Sequence, residues 1–203
     1  MKLIREGCAF TYDEAEKMVT KVDQIELCAD QANGGLTPSY GTIAATKKLN
    51  KKLLVMIRNN GSSDYTVTSN ELDTMLDDIK VCKDLKVEGV VFGLLTPDLQ
   101  IDEANLKQLV EACGSMEKVF HRAFDLVKDY KATIDLLVKY GFTRILTSGG
   151  QGKAVNNTAH LKEIQAYAEG KIEIIVGGGV SLENYEKIAK ETNIRLFHGS
   201  KVF

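Results

Sequence analysis

The sequence predicts an α/β protein of the (β/α)8 TIM-barrel type, and two observations carry that expectation. Eight short apolar runs alternate with stretches of helical period from one end of the 203-residue chain to the other. Several runs, such as Leu53-Leu54-Val55-Met56-Ile57 and Val90-Val91-Phe92, show almost no polar alternation, as expected of parallel strands covered on their outer face. The length lies at the short end for such a barrel, and a doubly wound open sheet is the alternative topology. No Pro-, Ser- or charge-rich linker interrupts the chain, so residues 1–203 are read as one domain.

Taken in order, the strand runs are Leu3 to Cys8, Gln24 to Cys28, Leu53 to Arg58, Gly89 to Gly93, Lys118 to His121, Thr143 to Thr147, Ile172 to Val176 and Arg195 to His198. Helix starts between them are marked by their chemistry. Thr11-Tyr12-Asp13-Glu14 and Thr68-Ser69-Asn70-Glu71 are capping-box patterns, and Asp102 and Ser181 are simpler N-caps. Leu72, Met75, Leu76, Ile79 and Cys82 recur at helical spacing and mark an inner stripe, as do Leu106, Leu109, Val110 and Cys113. Leu161, Ile164 and Ala168, then Leu182, Tyr185, Ile188 and Ala189, repeat the pattern. The chain ends at Phe203, just past the eighth run, so no eighth helix is expected over the last strand. Its outer side near the seam with the first should then be thinly covered. A homo-oligomer, dimer or tetramer, would bury it.

Composition excludes several classes. The apolar fraction of 44% is ordinary for a globular chain, and a net charge of -2 with interspersed signs offers no surface for nucleic acid or an anionic membrane. No apolar run approaches the ~20 residues that span a bilayer, and Lys2, Arg5 and Glu6 leave no room for a signal-peptide core. The expected location is therefore cytoplasmic, with four reduced cysteines rather than a disulfide framework.

The chemistry is expected at the C-terminal ends of the strands. The period of two puts Glu6 with Cys8 on one face of the first strand, and Glu26 with Cys28 on one face of the second. Two inward thiols on neighbouring strands could share a soft ion, Cu(I) before Zn(II), although a free strand cysteine also serves as a small buried hydrophobe. Glu6, Glu26 and His121 are the acid–base candidates should the protein be an enzyme. An interior ion-pair network is the alternative for the two carboxylates. Arg58, Arg122, Asp125 and His198 stand where a small anionic ligand would be held. Gly177-Gly178-Gly179 follows the seventh strand, where barrels often bind phosphate through backbone amides. The triglycine equally suits a tight turn. The polar loop from Asn59 to Thr68 has the length of a lid.

The motifs together resemble the CutC family. They are Glu6-Gly7-Cys8, Ile25-Glu26-Leu27-Cys28, Gly34-Gly35-Leu36-Thr37-Pro38-Ser39-Tyr40-Gly41, Met56-Ile57-Arg58, Phe120-His121-Arg122-Ala123-Phe124-Asp125, Gly177-Gly178-Gly179 and Phe197-His198. The resemblance covers nearly the whole chain in order. It implies a cytoplasmic barrel associated with copper homeostasis, with Cu(I) held by two cysteines that fall here on Cys8 and Cys28. This chain departs from the family after Arg58, where Asn59-Asn60-Gly61-Ser62 stands in place of Pro-Arg-Gly-Gly, and after His198, where Gly199-Ser200-Lys201 replaces a small residue and Arg. Two functions thus stay open at this level: a Cu(I)-binding protein, and a metabolic enzyme acting on a small anionic substrate, a phosphorylated one among the candidates.

Overall fold

In the computed structural model, which describes residues 2–203, all eight runs form parallel strands of a closed barrel in sequential order, with the eighth hydrogen-bonded to the first. The strands are β1 (Ile4–Ala9), β2 (Gln24–Leu27), β3 (Leu53–Met56), β4 (Gly89–Phe92), β5 (Glu117–Phe120), β6 (Arg144–Thr147), β7 (Glu173–Val176) and β8 (Leu196–Gly199). The helices are α1 (Tyr12–Met18), α2 (Tyr40–Lys47), α3 (Ser69–Asp84), α4 (Glu103–Cys113), α5 (Tyr130–Lys139), α6 (Thr158–Ala168) and α7 (Tyr185–Thr192). The closed order rules out the open doubly wound sheet. No helix among the described residues is long and apolar enough to cross a membrane.

Alternation along each strand sorts the core into two layers. Ile25, Leu27, Val55, Val90, Phe92, Phe120, Ile174 and Phe197 pack outward against the helix stripes. Cys8, Cys28, Leu54, Met56, Val91, Val119, Leu146, Ile175 and Leu196 fill the interior. Cys82 and Cys113 are packing residues of α3 and α4, fully buried in the outer layer.

The caps behave largely as their sequence directs. Thr68 and Glu71 form a reciprocal box, in which the Glu71 amide donates to Thr68 Oγ1 at 3.3 Å and the Thr68 amide to Glu71 Oε2 at 2.7 Å. Thr11 accepts from the Glu14 amide at 3.2 Å, but the Glu14 carboxylate reaches back to the amide of Phe10 instead. Ser181 does not cap a helix. Asn184 accepts from the Ser181 amide and donates to the Gly179 carbonyl, both at 2.9 Å, which locks a turn and delays α7 to Tyr185.

The seam between β8 and β1 has no helix of its own among the described residues, as expected, but it is not bare. Val202 is completely buried there, its carbonyl accepts from Arg5 Nη1 at 3.4 Å, and the Phe203 ring lies under Lys21. Phe197 is covered from the other side by Tyr185 at 5.7 Å.

The N-terminal end of the barrel is closed by charges that the sequence reading had not placed. Lys52 meets Glu117 at 2.7 Å, Arg144 bridges Glu117 at 2.9 Å and Glu173 at 3.1 Å, and Arg195 reaches Glu173 at 3.6 Å. Each of these residues opens or immediately precedes a strand, so the barrel gathers them into one ring. Their charges satisfy one another, and the polar opening is left at the opposite end.

Candidate functional site

The C-terminal end opens into a cavity of about 780 Å3. Cys8, Glu26, Cys28, Arg58, His121, Arg122, Gly178, Gly179 and His198 line it, so most of the sequence-derived candidates share one mouth. Glu6, Asp125 and Gly177 support it from behind.

Pairing between β1 and β2 sets Cys8 beside Glu26 and Glu6 beside Gln24, so the two Glu-x-Cys pairs are offset by one two-residue step. Closure of the barrel then brings His198 of β8 opposite Glu6. His198 Nδ1 lies 2.9 Å from Glu6 Oε1 and 3.4 Å from Glu26 Oε2. Gln24 Nε2 donates to the other Glu6 oxygen at 2.5 Å, and the Cys28 thiol donates to Glu26 Oε1 at 3.4 Å. Glu26 Oε2 is buried and accepts no hydrogen bond. The interior is thus a connected polar cluster of two carboxylates, two thiols, an amide and an imidazole.

Electrostatics divides the two thiols. The neighbouring Cys28 thiol, with the charge of His198 added, outweighs burial and brings Cys8 down to about 6. Cys28 moves the opposite way, raised by its contact with Cys8 and by burial. Burial pushes Glu26 up to about 8. Burial works against the His198 imidazolium, but the charges of Glu26 and Cys8 and its hydrogen bonds prevail and raise it well above the ordinary range. Cys82 and Cys113 are pushed up to about 12 by burial.

This contrast yields a chemical prediction. Alkylation with iodoacetamide at pH 7 is expected to modify Cys8, which borders the cavity, and to spare Cys82 and Cys113. Peptide mass spectrometry across a pH series should show the Cys8 rate half-maximal near pH 6 and flat above pH 7. A rate still climbing through pH 9 would be that of an ordinary thiol.

His121 is buried, accepts from the Ala123 amide at 3.2 Å and lies 4.8 Å from the Tyr65 ring. Burial, then the Arg58 charge, holds it down to about 3, so its ring is neutral near pH 7. Arg58 spends its guanidinium on backbone. Nη1 donates to the Asn33 and Gly35 carbonyls at 2.8 and 3.2 Å, and Nη2 to that of Ser62 at 3.0 Å. It therefore clamps the loops after β2 and β3 over the mouth. Gly35, at a φ of +100°, is what lets the first of these loops close down. A Cβ there would stand 3.2 Å from the Cys28 sulfur. Tyr65 from the Asn59 to Thr68 loop completes the lining and stacks on Arg58 at 4.9 Å.

Across the mouth, Asp125 organises rather than faces the cavity. Its carboxylate accepts from Arg122 Nε and Ser148 Oγ at 2.8 Å, from Thr147 Oγ1 at 2.5 Å and from the Ser148 amide at 3.0 Å. Arg122, also bonded to Ser148 Oγ at 2.9 Å, is thereby held beside Gly178. Gly178 and Gly179 both have positive φ, whereas Gly177 is required for packing, since a Cβ would meet Leu146 at 2.7 Å and His198 at 3.3 Å. Lys153, Tyr65 and Lys201 line the cavity and Gln24 supports it, yet the sequence reading named none of the four as a site residue, placing Tyr65 only within the lid loop and Lys201 only in the departure after His198. For Lys153 a signal existed: it is a cation directly after Gly149-Gly150-Gln151-Gly152, at the C-terminal end of β6.

Comparison with known proteins agrees with this architecture. A family model described as the CutC family matches residues 3–203. A Parabacteroides distasonis protein named a family protein CutC is 41% identical over 203 residues, covering 98% of this chain and 83% of that protein. A Bacteroides fragilis protein of the same name is 42% identical over 180 residues, 88% of this chain and 71% of that protein. A crystal structure from Streptococcus agalactiae, provisionally described as the copper homeostasis protein CutC, superposes with a TM-score of 0.95 at 36% identity. It covers 99% of this chain and 100% of that one.

Proposed function

The chain belongs to the CutC family, a family associated by name with copper homeostasis, and from that premise we propose that it binds Cu(I) through Cys8 and Cys28. The observation that carries the reading is that both thiols line one cavity on neighbouring strands, with the Cys28 thiol helping to bring Cys8 down to about 6. Soft sulfur donors with one thiolate already formed near neutral pH suit Cu(I). The loop held by Gly35 and Arg58 packs over the Cys28 sulfur, and a cytoplasmic setting would keep both thiols reduced. The test is a competition titration against a Cu(I)-specific chelator. One Cu(I) per chain, lost in the C8S/C28S double variant, supports the reading; equal affinity in that variant overturns it.

The size and charge of the mouth favour a second reading. A cavity of about 780 Å3 is far larger than a two-coordinate ion requires, and Arg122, Lys153 and Lys201 give it positive charge. The amides of Gly178 and Gly179 donate to no other described residue. In this reading the protein is an enzyme for a small phosphorylated substrate, held at Gly178, Gly179 and Arg122. Glu26, at about 8, is its proton donor. Inorganic phosphate or pyrophosphate is then expected to raise the melting temperature, by about 2–4 °C for each kcal/mol gained at this chain length, and to do so less in Arg122→Ala. Equal shifts in both proteins, or none, would remove it.

A further inference from the structure

We propose that Glu6, Glu26 and His198 form a divalent-metal site on the cavity floor, separate from the thiol pair. One ligand atom from each residue lies within 4.8 Å of the others, with the imidazole 2.9 Å from one carboxylate and 3.4 Å from the other. Donors bound 2.0–2.2 Å from a tetrahedral ion stand about 3.3–3.6 Å apart. The two imidazole–carboxylate spacings are already close to this, and the carboxylate oxygens, within 4.8 Å, would close by at most about 1.5 Å to share one ion.

An ion-pair network alone does not account for the cluster. It satisfies Glu6, whose second oxygen is fixed by Gln24 as ligating carboxylates commonly are by an outer partner. It leaves Glu26 Oε2 with no hydrogen bond in a side chain that is 2% exposed, directed at the imidazole. The imidazole at 3.4 Å gives that oxygen an ion pair without a hydrogen bond, and a bound cation would coordinate it directly. The Cys28 thiol is engaged with the other Glu26 oxygen and does not compete.

The donor set selects the ion. Two carboxylates and one imidazole suit a hard or borderline first-row dication such as Zn(II), Co(II) or Mn(II), whereas soft Cu(I) prefers the neighbouring sulfurs. Binding would displace the protons of His198 and Glu26, as ion binding at such ligands does, and the two carboxylates then match the charge of a dication. Glu26 and His198 both line the open cavity, which gives the ion an entry path and leaves a position free for an oxygen atom of a bound anion.

Co(II) is the probe, because its absorption distinguishes sulfur from oxygen and nitrogen ligands. Protein stripped with a chelator is expected to bind one Co(II) per chain, with visible ligand-field bands and no near-ultraviolet sulfur-to-cobalt charge transfer. The C8S/C28S variant should keep the one-Co(II) stoichiometry and the same ligand-field bands, even where loss of the thiol beside Glu26 lowers the affinity. Glu26→Gln, an isosteric change, should weaken binding by at least about tenfold, with circular dichroism reporting that it folds and His198→Gln as a second variant. Failure of the wild type to bind Co(II), a charge-transfer band that disappears in C8S/C28S, or unaltered affinity in Glu26→Gln would each overturn the proposal. The wild-type spectrum decides without any variant. The site shares no ligand with the Cu(I) reading, so Cu(I) lost and Co(II) retained in C8S/C28S separates the two.

Discussion

Replacing His198 by leucine is expected to cost the fold about 3–5 kcal/mol, because it leaves two buried carboxyl groups without the cation they share. His198 contacts Glu6 at 2.9 Å and Glu26 at 3.4 Å, and both glutamates are only 1% exposed. The same change made with Glu6→Gln should cost less, since the amide needs no counter-charge. The effect has a defined pH dependence. The His198 pKa is raised on folding, so its contribution is complete below the unfolded value of about 6.5 and is lost as pH rises through the folded value. Urea denaturation of wild type and His198→Leu should therefore show a wide gap at pH 6 that narrows in alkaline solution. A gap that is small throughout, or that widens with pH, would mean that the imidazolium does not hold the cluster together.

Cys8→Ser and Cys28→Ser are each expected to weaken Cu(I) binding by more than about 100-fold. Loss of a group one step removed from a metal typically costs 10–100-fold, and loss of a ligand itself must exceed that. The two sites should not behave identically. Cys8 is brought down to about 6 by its contact with Cys28, whereas Cys28 is raised, so near pH 7 only Cys28 must surrender its proton to the ion. Chelator competition on each single variant, with circular dichroism to show that it folds, measures the loss directly. Near-wild-type affinity in either variant would show that its sulfur is not a ligand.

Much of this site was legible in the sequence. The two-residue period of a strand was enough to put Glu6 with Cys8, and Glu26 with Cys28, on one face, and all four are found in the barrel interior. His198 was marked as a strand-end residue but not as the partner of Glu6, because the two are 192 positions apart and meet only when β8 closes on β1. Arg58 was read as a ligand for anions, yet it is bonded to three loop carbonyls, which no linear pattern announces. The charged ring of Lys52, Glu117, Arg144 and Glu173 was missed because each residue alone looks like an ordinary polar strand start.

By itself, the sequence determined the order of strands and helices, which residues face the barrel interior and which end opens into the polar cavity. These follow from local periodicity and from the rule that parallel strands end on the same side. Only the tertiary structure decided which groups touch: the offset between β1 and β2 that sets Cys8 beside Glu26, the closure that delivers His198, and the burial that moves Glu26, Cys8 and His121 from their ordinary pKa values. Register and ring closure are long-range hydrogen-bonding choices, and desolvation is a property of the assembled interior, so neither is encoded in a local window of residues.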